Sequence, residues 1–163
     1  MADTELSEKR ITIIGAGNIL CGDEGLGVHI VQELHGYDLH DNVTLHDAGT
    51  ATIDAFLDAA NADKVVIIDA VQAGGAPGSI YRFSLEEICA ESGFTRTSLH
   101  QISLYDSFNM ARLLMDKVPE VIVIGVEPQS IESGLELSPN IRKKTKKIIE
   151  VVLHEVDNCE RGV

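Results

Sequence analysis

The chain has 163 residues, 44% hydrophobic and 24% charged, which suits one ordinary domain with a single sizeable core. Its 26 acidic residues outnumber 13 basic ones for a formal net charge of −13. Binding to nucleic acid or to an anionic membrane, which relies on clustered Lys and Arg, is therefore not expected. Cys21, Cys89 and Cys159 contain no CxxC pair, which argues against a disulfide scaffold or structural zinc and for a reduced, cytoplasmic setting.

The polar start, residues 1–9, reads as a tail rather than a signal sequence, and 158–163 as a second tail, on a single domain spanning 1–163. Ile11 to Ile14 is a short β-rich run leading into the glycine-rich stretch GAGNILCGDEGLG, residues 15 to 27. Leu26, Ile30, Val31 and Leu34 then share one helical face. Val43 to His46 is a second strand. Thr50 is placed to cap a helix whose buried stripe would be Ile53, Phe56, Leu57 and Ala60. Lys64 to Asp69 reads as a strand buried on both faces.

Ser79 to Phe83 alternates as a half-exposed strand does. The connection before it, Ala70 to Gly78, is too short for a parallel crossover, so if these two strands are neighbours the second runs antiparallel, at an edge. Ser84 with Glu87 forms a capping box. Leu104, Phe108, Ala111 and Met115 stripe the next helix, and Val121 to Val126 is again apolar. Ser138 followed by Pro139 opens a last helix to about Val156. Its cluster Arg142, Lys143, Lys144, Lys146 and Lys147 reads as a solvated face. The order predicts an α/β fold, a three-layer α/β/α sandwich on a mostly parallel five-stranded twisted sheet with one antiparallel edge strand.

Sites in open α/β sheets form beyond the C-terminal ends of the parallel strands. Acids follow all four strands expected to be parallel: Asp23 and Glu24, Asp47, Asp69, and Glu127. An oxygen-rich rim suits a cation better than a phosphate. The dinucleotide fingerprint is matched by Gly15 and Gly17 but broken at Leu20, and the two carboxylates beside it oppose a phosphate. Asp47 has a simpler reading as a helix cap, and Glu127 as a partner of its own loop. Of six histidines, His100 stands out, in a polar stretch just before a helix, where the helix dipole favours the neutral, ligating imidazole, and where a helix-capping role fits the spacing equally. A thiol nucleophile, Cys21 with His100, is disfavoured because Asp23 and Glu24 raise a thiol's pKa.

The set GAGNILCGDEGLG, DAGT, VVIIDAV, GGAPG, SLHQISL, IGVEP and ELSP, in this order, resembles the hydrogenase maturation endopeptidases over about residues 11 to 156. The resemblance implies removal of a C-terminal extension from the large-subunit precursor of a [NiFe] hydrogenase after nickel insertion. It implies Glu24, Asp69 and His100 as metal ligands, with nickel supplied by the precursor and other divalent metals as surrogates. Asp47 matches a further acid associated with function, a candidate base in a catalytic set with Glu24, Asp69 and His100. Two alternatives remain at this point: a nickel-dependent binding or chaperone module for the precursor, and a zinc-like metalloprotease carrying its own metal. The segments Ala70 to Gly78 and Ser92 to Leu99 are expected to move without substrate.

Overall fold

Apolar runs without polar interruption, Val65 to Ile68 and Val121 to Ile124, form the middle of a five-stranded sheet. The computed structural model describes residues 8–90 and 99–160, with side chains described except at 88–90, 99–103 and 159–160. The strands are β1 (Ile11–Ala16), β2 (Val43–Gly49), β3 (Lys64–Ala70), β4 (Ile80–Ser84) and β5 (Glu120–Val126), in spatial order β2-β1-β3-β5-β4. All pairs are parallel except β4 with β5. The fourth strand is thus an antiparallel edge, but its neighbour is β5 rather than β3. The short β3–β4 connection passes over a gap that β5 later fills.

The helices are α1 (Leu26–Leu34), α2 (Thr52–Asp58), α3 (Leu85–Ala90), α4 (Leu99–Arg112) and α5 (Pro139–Glu160). Strand alternation divides the core between the two faces of the sheet. Ile11, Ile13, Val66, Ile68, Ile122 and Ile124 pack against α1 and α5. Ile14, Val65, Ile67, Val121 and Val123 pack against α2, α3 and α4. The three-layer sandwich follows.

Leu26, Ile30, Val31 and Leu34 are all buried, as their spacing requires. The capping box closes: Glu86 N–H donates to Ser84 Oγ at 3.2 Å, and Ser84 N–H donates to Glu87 Oε2 at 2.9 Å. On α2 the stripe is rotated. Ala55, Phe56 and Ala59 are buried while Ile53 is exposed, and Ala51, not Thr50, precedes the helix without a side-chain cap. The ring of Phe56 meets Phe108 at 5.3 Å between centroids, and this α2–α4 contact decides which face turns inward. Ser138 precedes α5 as expected, but its hydroxyl serves another element, and α5 continues to Glu160.

At the N-terminal ends of the strands, Glu155 of α5 lies between two cations. Lys64 Nζ approaches Glu155 Oε1 at 2.6 Å, and Arg82 donates through Nε and Nη2 at 2.7 and 2.9 Å. Burial pushes the Glu155 carboxyl up, but the Arg82 and Lys64 bonds outweigh it and hold the group below the usual range. Lys64 is itself buried, so Glu155→Ala leaves an uncompensated charge inside. We expect about 3–5 kcal/mol lower stability in urea unfolding at neutral pH. Because the folded pKa is depressed, this stabilisation is present above the ordinary glutamate range and fades as pH falls through the folded value. The gap between wild type and variant should therefore narrow in acid.

Candidate functional site

The glycine-rich stretch ends β1 and re-enters the sheet layer as a 3-10 turn, Gly22–Gly25, that leads straight into α1. Its glycines permit backbone to touch backbone. Gly17 has φ of +131°, and a Cβ there would strike the carbonyl oxygen of Glu24. At Gly27 a Cβ would strike the carbonyl oxygens of Ile68 and Ala16. Only glycine lets α1 sit this close to the ends of β1 and β3, one residue before Asp69. No phosphate cradle is needed to explain them.

The two adjacent carboxylates have opposite roles. Asp23 is almost wholly buried and accepts from Gln129 N–H and Ser130 N–H at 2.9 Å each, and from Ser138 N–H at 2.7 Å and Ser138 Oγ–H at 2.8 Å. It fastens the long β5–α5 connection to the glycine loop. A short bridge reinforces the seam: Gly134 N–H donates to the Leu20 carbonyl at 2.9 Å, and Gly22 N–H to the Gly134 carbonyl at 2.8 Å. Sequence reasoning missed this clamp, because its partners lie more than a hundred residues downstream.

Glu24, half-buried, faces the end of β3. There Asp69 is 2% exposed and accepts a hydrogen bond from the Ala70 N–H at 2.8 Å. Burial raises the Asp69 carboxyl to about 7, the Ala70 bond opposes the rise, and the charge of Glu24 adds to it. Glu24 and Asp69 are thus brought within electrostatic reach of each other. Asp69 shares the strand face of Val65 and Ile67, on the side covered by α4. His100 lies in the first turn of α4, and its side chain falls outside the described residues. Among the described residues no three His, Cys, Asp or Glu side chains form a metal-sized cluster.

Asp47 lies apart from this pair. In register it stands beside Gly15 of β1, two strand spacings or about 10 Å from the end of β3. Its parity with Leu45 directs it to the α1 face, where Gln32 Nε2 donates to it at 3.5 Å. It does not cap α2. Its Oδ1 accepts from Gly49 N–H at 3.1 Å, a local turn. Asp47 also lines a cleft of about 290 Å³ with Gly17, Ile19, Leu20, Val28 and Thr50. Ile19 and Leu20 are exposed along it.

Glu127 bonds not its own loop but the β3–β4 connection, accepting from the N–H groups of Ala73, Gly74 and Gly75 and from Tyr81 Oη–H. These bonds run to the loop, Ala70 to Gly78, that is expected to move without substrate. Of the second segment expected to move, 92–98 lie outside the described residues. Cys21 Sγ accepts from Asn18 Nδ2 at 3.4 Å. Burial, then the hydrogen bond and charge of Glu24, push its thiol up, which opposes a thiolate nucleophile.

What fold and site define is an α/β/α protein with a paired-carboxylate centre at the C-terminal ends of its parallel strands. Two carboxyl groups of this kind, one buried and reluctant to ionise, suit a divalent cation, whose charge would favour the ionised form. The chain belongs to the hydrogenase maturation protease family, whose model matches residues 28–155, and it is a peptidase. It is 37% identical over 147 residues to the hydrogenase 2 maturation protease of Escherichia coli, covering 88% of each chain. It is 33% identical to the hydrogenase expression/formation protein HupD of Bradyrhizobium diazoefficiens, covering 91% of this chain and 78% of that one. Among solved structures it superposes on the hydrogenase maturating endopeptidase HybD of E. coli with a TM-score of 0.80 and 34% identity, covering 91% of this chain and 93% of that one.

Two outcomes follow from these contacts. Asp69 has a folded pKa raised above its unfolded value, so it lowers stability progressively as pH rises from about 4 to about 7. Asp69→Asn should therefore raise the melting temperature at pH 8 and leave it nearly unchanged near pH 4. Asp23→Ala should lower stability by on the order of 3 kcal/mol, with faster amide exchange at Gln129, Ser130 and Ser138.

Proposed function

We propose that this chain is the endopeptidase that removes the C-terminal extension of a [NiFe] hydrogenase large-subunit precursor once nickel is in place. Glu24 and Asp69, joined by His100 from the start of α4, receive the nickel that the precursor itself carries. The observation that carries this reading is the Glu24–Asp69 pair, in which burial and like charge leave a carboxylate that gains most when a cation arrives. Membership of the protease family and the likeness to the E. coli hydrogenase 2 maturation protease support the choice of substrate.

In this scheme the nickel belongs to the substrate, and the peptidase checks that it is present. Without the ion, burial and the charge of Glu24 keep Asp69 only partly ionised in neutral solution. With it, both carboxylates are ionised and the precursor is held by its metal, the tail leading away from the rim. The cleft beside Ile19 and Leu20 offers that tail an apolar bed with Asp47 at its side. Asp47, exposed beside that cleft, is in this scheme the base that takes a proton from a water attacking the tail.

The test is processing of nickel-loaded precursor, followed as a shortened large subunit. Glu24→Gln, Asp69→Asn and His100→Ala should each reduce the rate by about 100-fold or more while the chain stays folded. Asp47→Asn should lower turnover and leave nickel binding intact, separating base from ligands. Equal processing of nickel-free precursor would refute the metal check, and loss of activity in Cys21→Ala with retention in Glu24→Gln would move the chemistry to the thiol. Binding of loaded precursor without any cleavage would favour a chaperone.

A further inference from the structure

Five of the chain's 13 basic residues, Arg142, Lys143, Lys144, Lys146 and Lys147, crowd into six positions of α5, leaving eight basic against 26 acidic residues elsewhere. Folding accounts for only part of this cluster. Lys144 turns inward and donates to the Pro77 carbonyl at 3.2 Å. Arg142 pairs with Glu136 at 2.8 Å, and Lys147 with Glu150 at 3.3 Å, both on the surface. Lys143 and Lys146 are exposed and have no acidic partner among the described residues. Arg142 with Lys146, Lys143 with Lys146 and Lys143 with Lys147 stand three or four residues apart, where like charges repel and weaken a helix. The opposite face of α5, through Ile141, Ile148 and Ile149, is already spent on the core.

The strip is also close to the acidic rim. Ser138, the residue before α5, is bonded to Asp23, the neighbour of Glu24. Lys147 lies eight residues into the helix, about 12 Å along its axis. A cationic strip on a strongly acidic protein therefore stands beside the place where the tail would be cut.

We propose that the exposed face of α5 carrying Arg142, Lys143, Lys146 and Lys147 docks a carboxylate-rich surface of the precursor protein. The proposal rests on the endopeptidase reading and adds to it a second contact, remote from the metal, that orients the client. Charge complementarity selects this occupant. A net charge of −13 repels a long polyanion or a charged bilayer at distances where a local acidic patch on a protein, flanked by mixed charge, is still attracted. Attraction of this kind acts on encounter and on KM rather than on turnover.

The experiment uses the full chain with nickel-loaded large-subunit precursor and measures binding and cleavage separately across about 0.05 to about 0.5 M salt. Lys143→Glu with Lys146→Glu should weaken precursor binding and lower kcat/KM by about ten-fold at low salt, flatten the salt dependence, and leave kcat unchanged without lowering the melting temperature. Lys143→Gln with Lys146→Gln should fall between. Lys9→Glu with Arg112→Glu, the same change in net charge away from the strip, should do far less. The proposal is overturned if the α5 reversal leaves binding and kcat/KM as in wild type, if the distant reversal matches it, or if a single-stranded RNA or phosphatidylglycerol vesicles bind through these lysines more tightly than the precursor. Salt-sensitive, lysine-dependent binding with no cleavage would sink the endopeptidase reading and leave the docking surface standing.

Discussion

The carboxylate of Asp23 is the fixed point of the acidic rim. Buried and saturated by Gln129, Ser130 and both donors of Ser138, it joins the first loop of the sheet to the last. A buried carboxylate with all these donors satisfied is held in one geometry, and the next residue in the chain inherits that rigidity. Glu24 is that residue. Its place beside Asp69 thus depends on a neighbour that has no chemistry of its own to perform, and on glycines whose missing side chains let the turn close against Ile68 and Ala16.

The Glu24–Asp69 arrangement is unfavourable in the free protein. Enclosing Asp69 and setting a second acid nearby lowers stability at neutral pH without any gain in packing. A fold that evolved for stability alone would place an amide or an apolar residue there. Under the proposed function this strain is useful, since the charge of an arriving cation relieves it. On that reading, stability and recognition are set against each other at this one position.

Much of the architecture could be read from the chain because local rules and the global fold agree. The uninterrupted apolar runs gave the central strands, and the short Ala70 to Gly78 connection identified the antiparallel edge, though not that β5 would lie between. Ile53 faces solvent against expectation because helical spacing alone offers more than one possible inner face for α2, and the Phe56–Phe108 contact selects the other. The acids were legible as a group and illegible as individuals. Asp23 and Glu24 sit side by side, yet one is sequestered by a loop that returns over a hundred residues later. Glu127 likewise looks like a rim acid until the amides of Ala73 to Gly75 close on it. Nothing local distinguishes a carboxylate that will be saturated from one that will stay available.

Helix α5 is anchored at both extremities, by Ser138 to Asp23 at one and by Glu155 to Lys64 and Arg82 at the other. The anchors are 17 residues apart in the chain, about 25 Å along the axis. Advancing the helix by a single residue would turn it by roughly 100° and break both attachments together. It is therefore a spar with no freedom to slide or roll, and the two ends of the sheet are mechanically coupled through it. A lesion at the base, far from any chemistry, would be transmitted to the rim as misalignment.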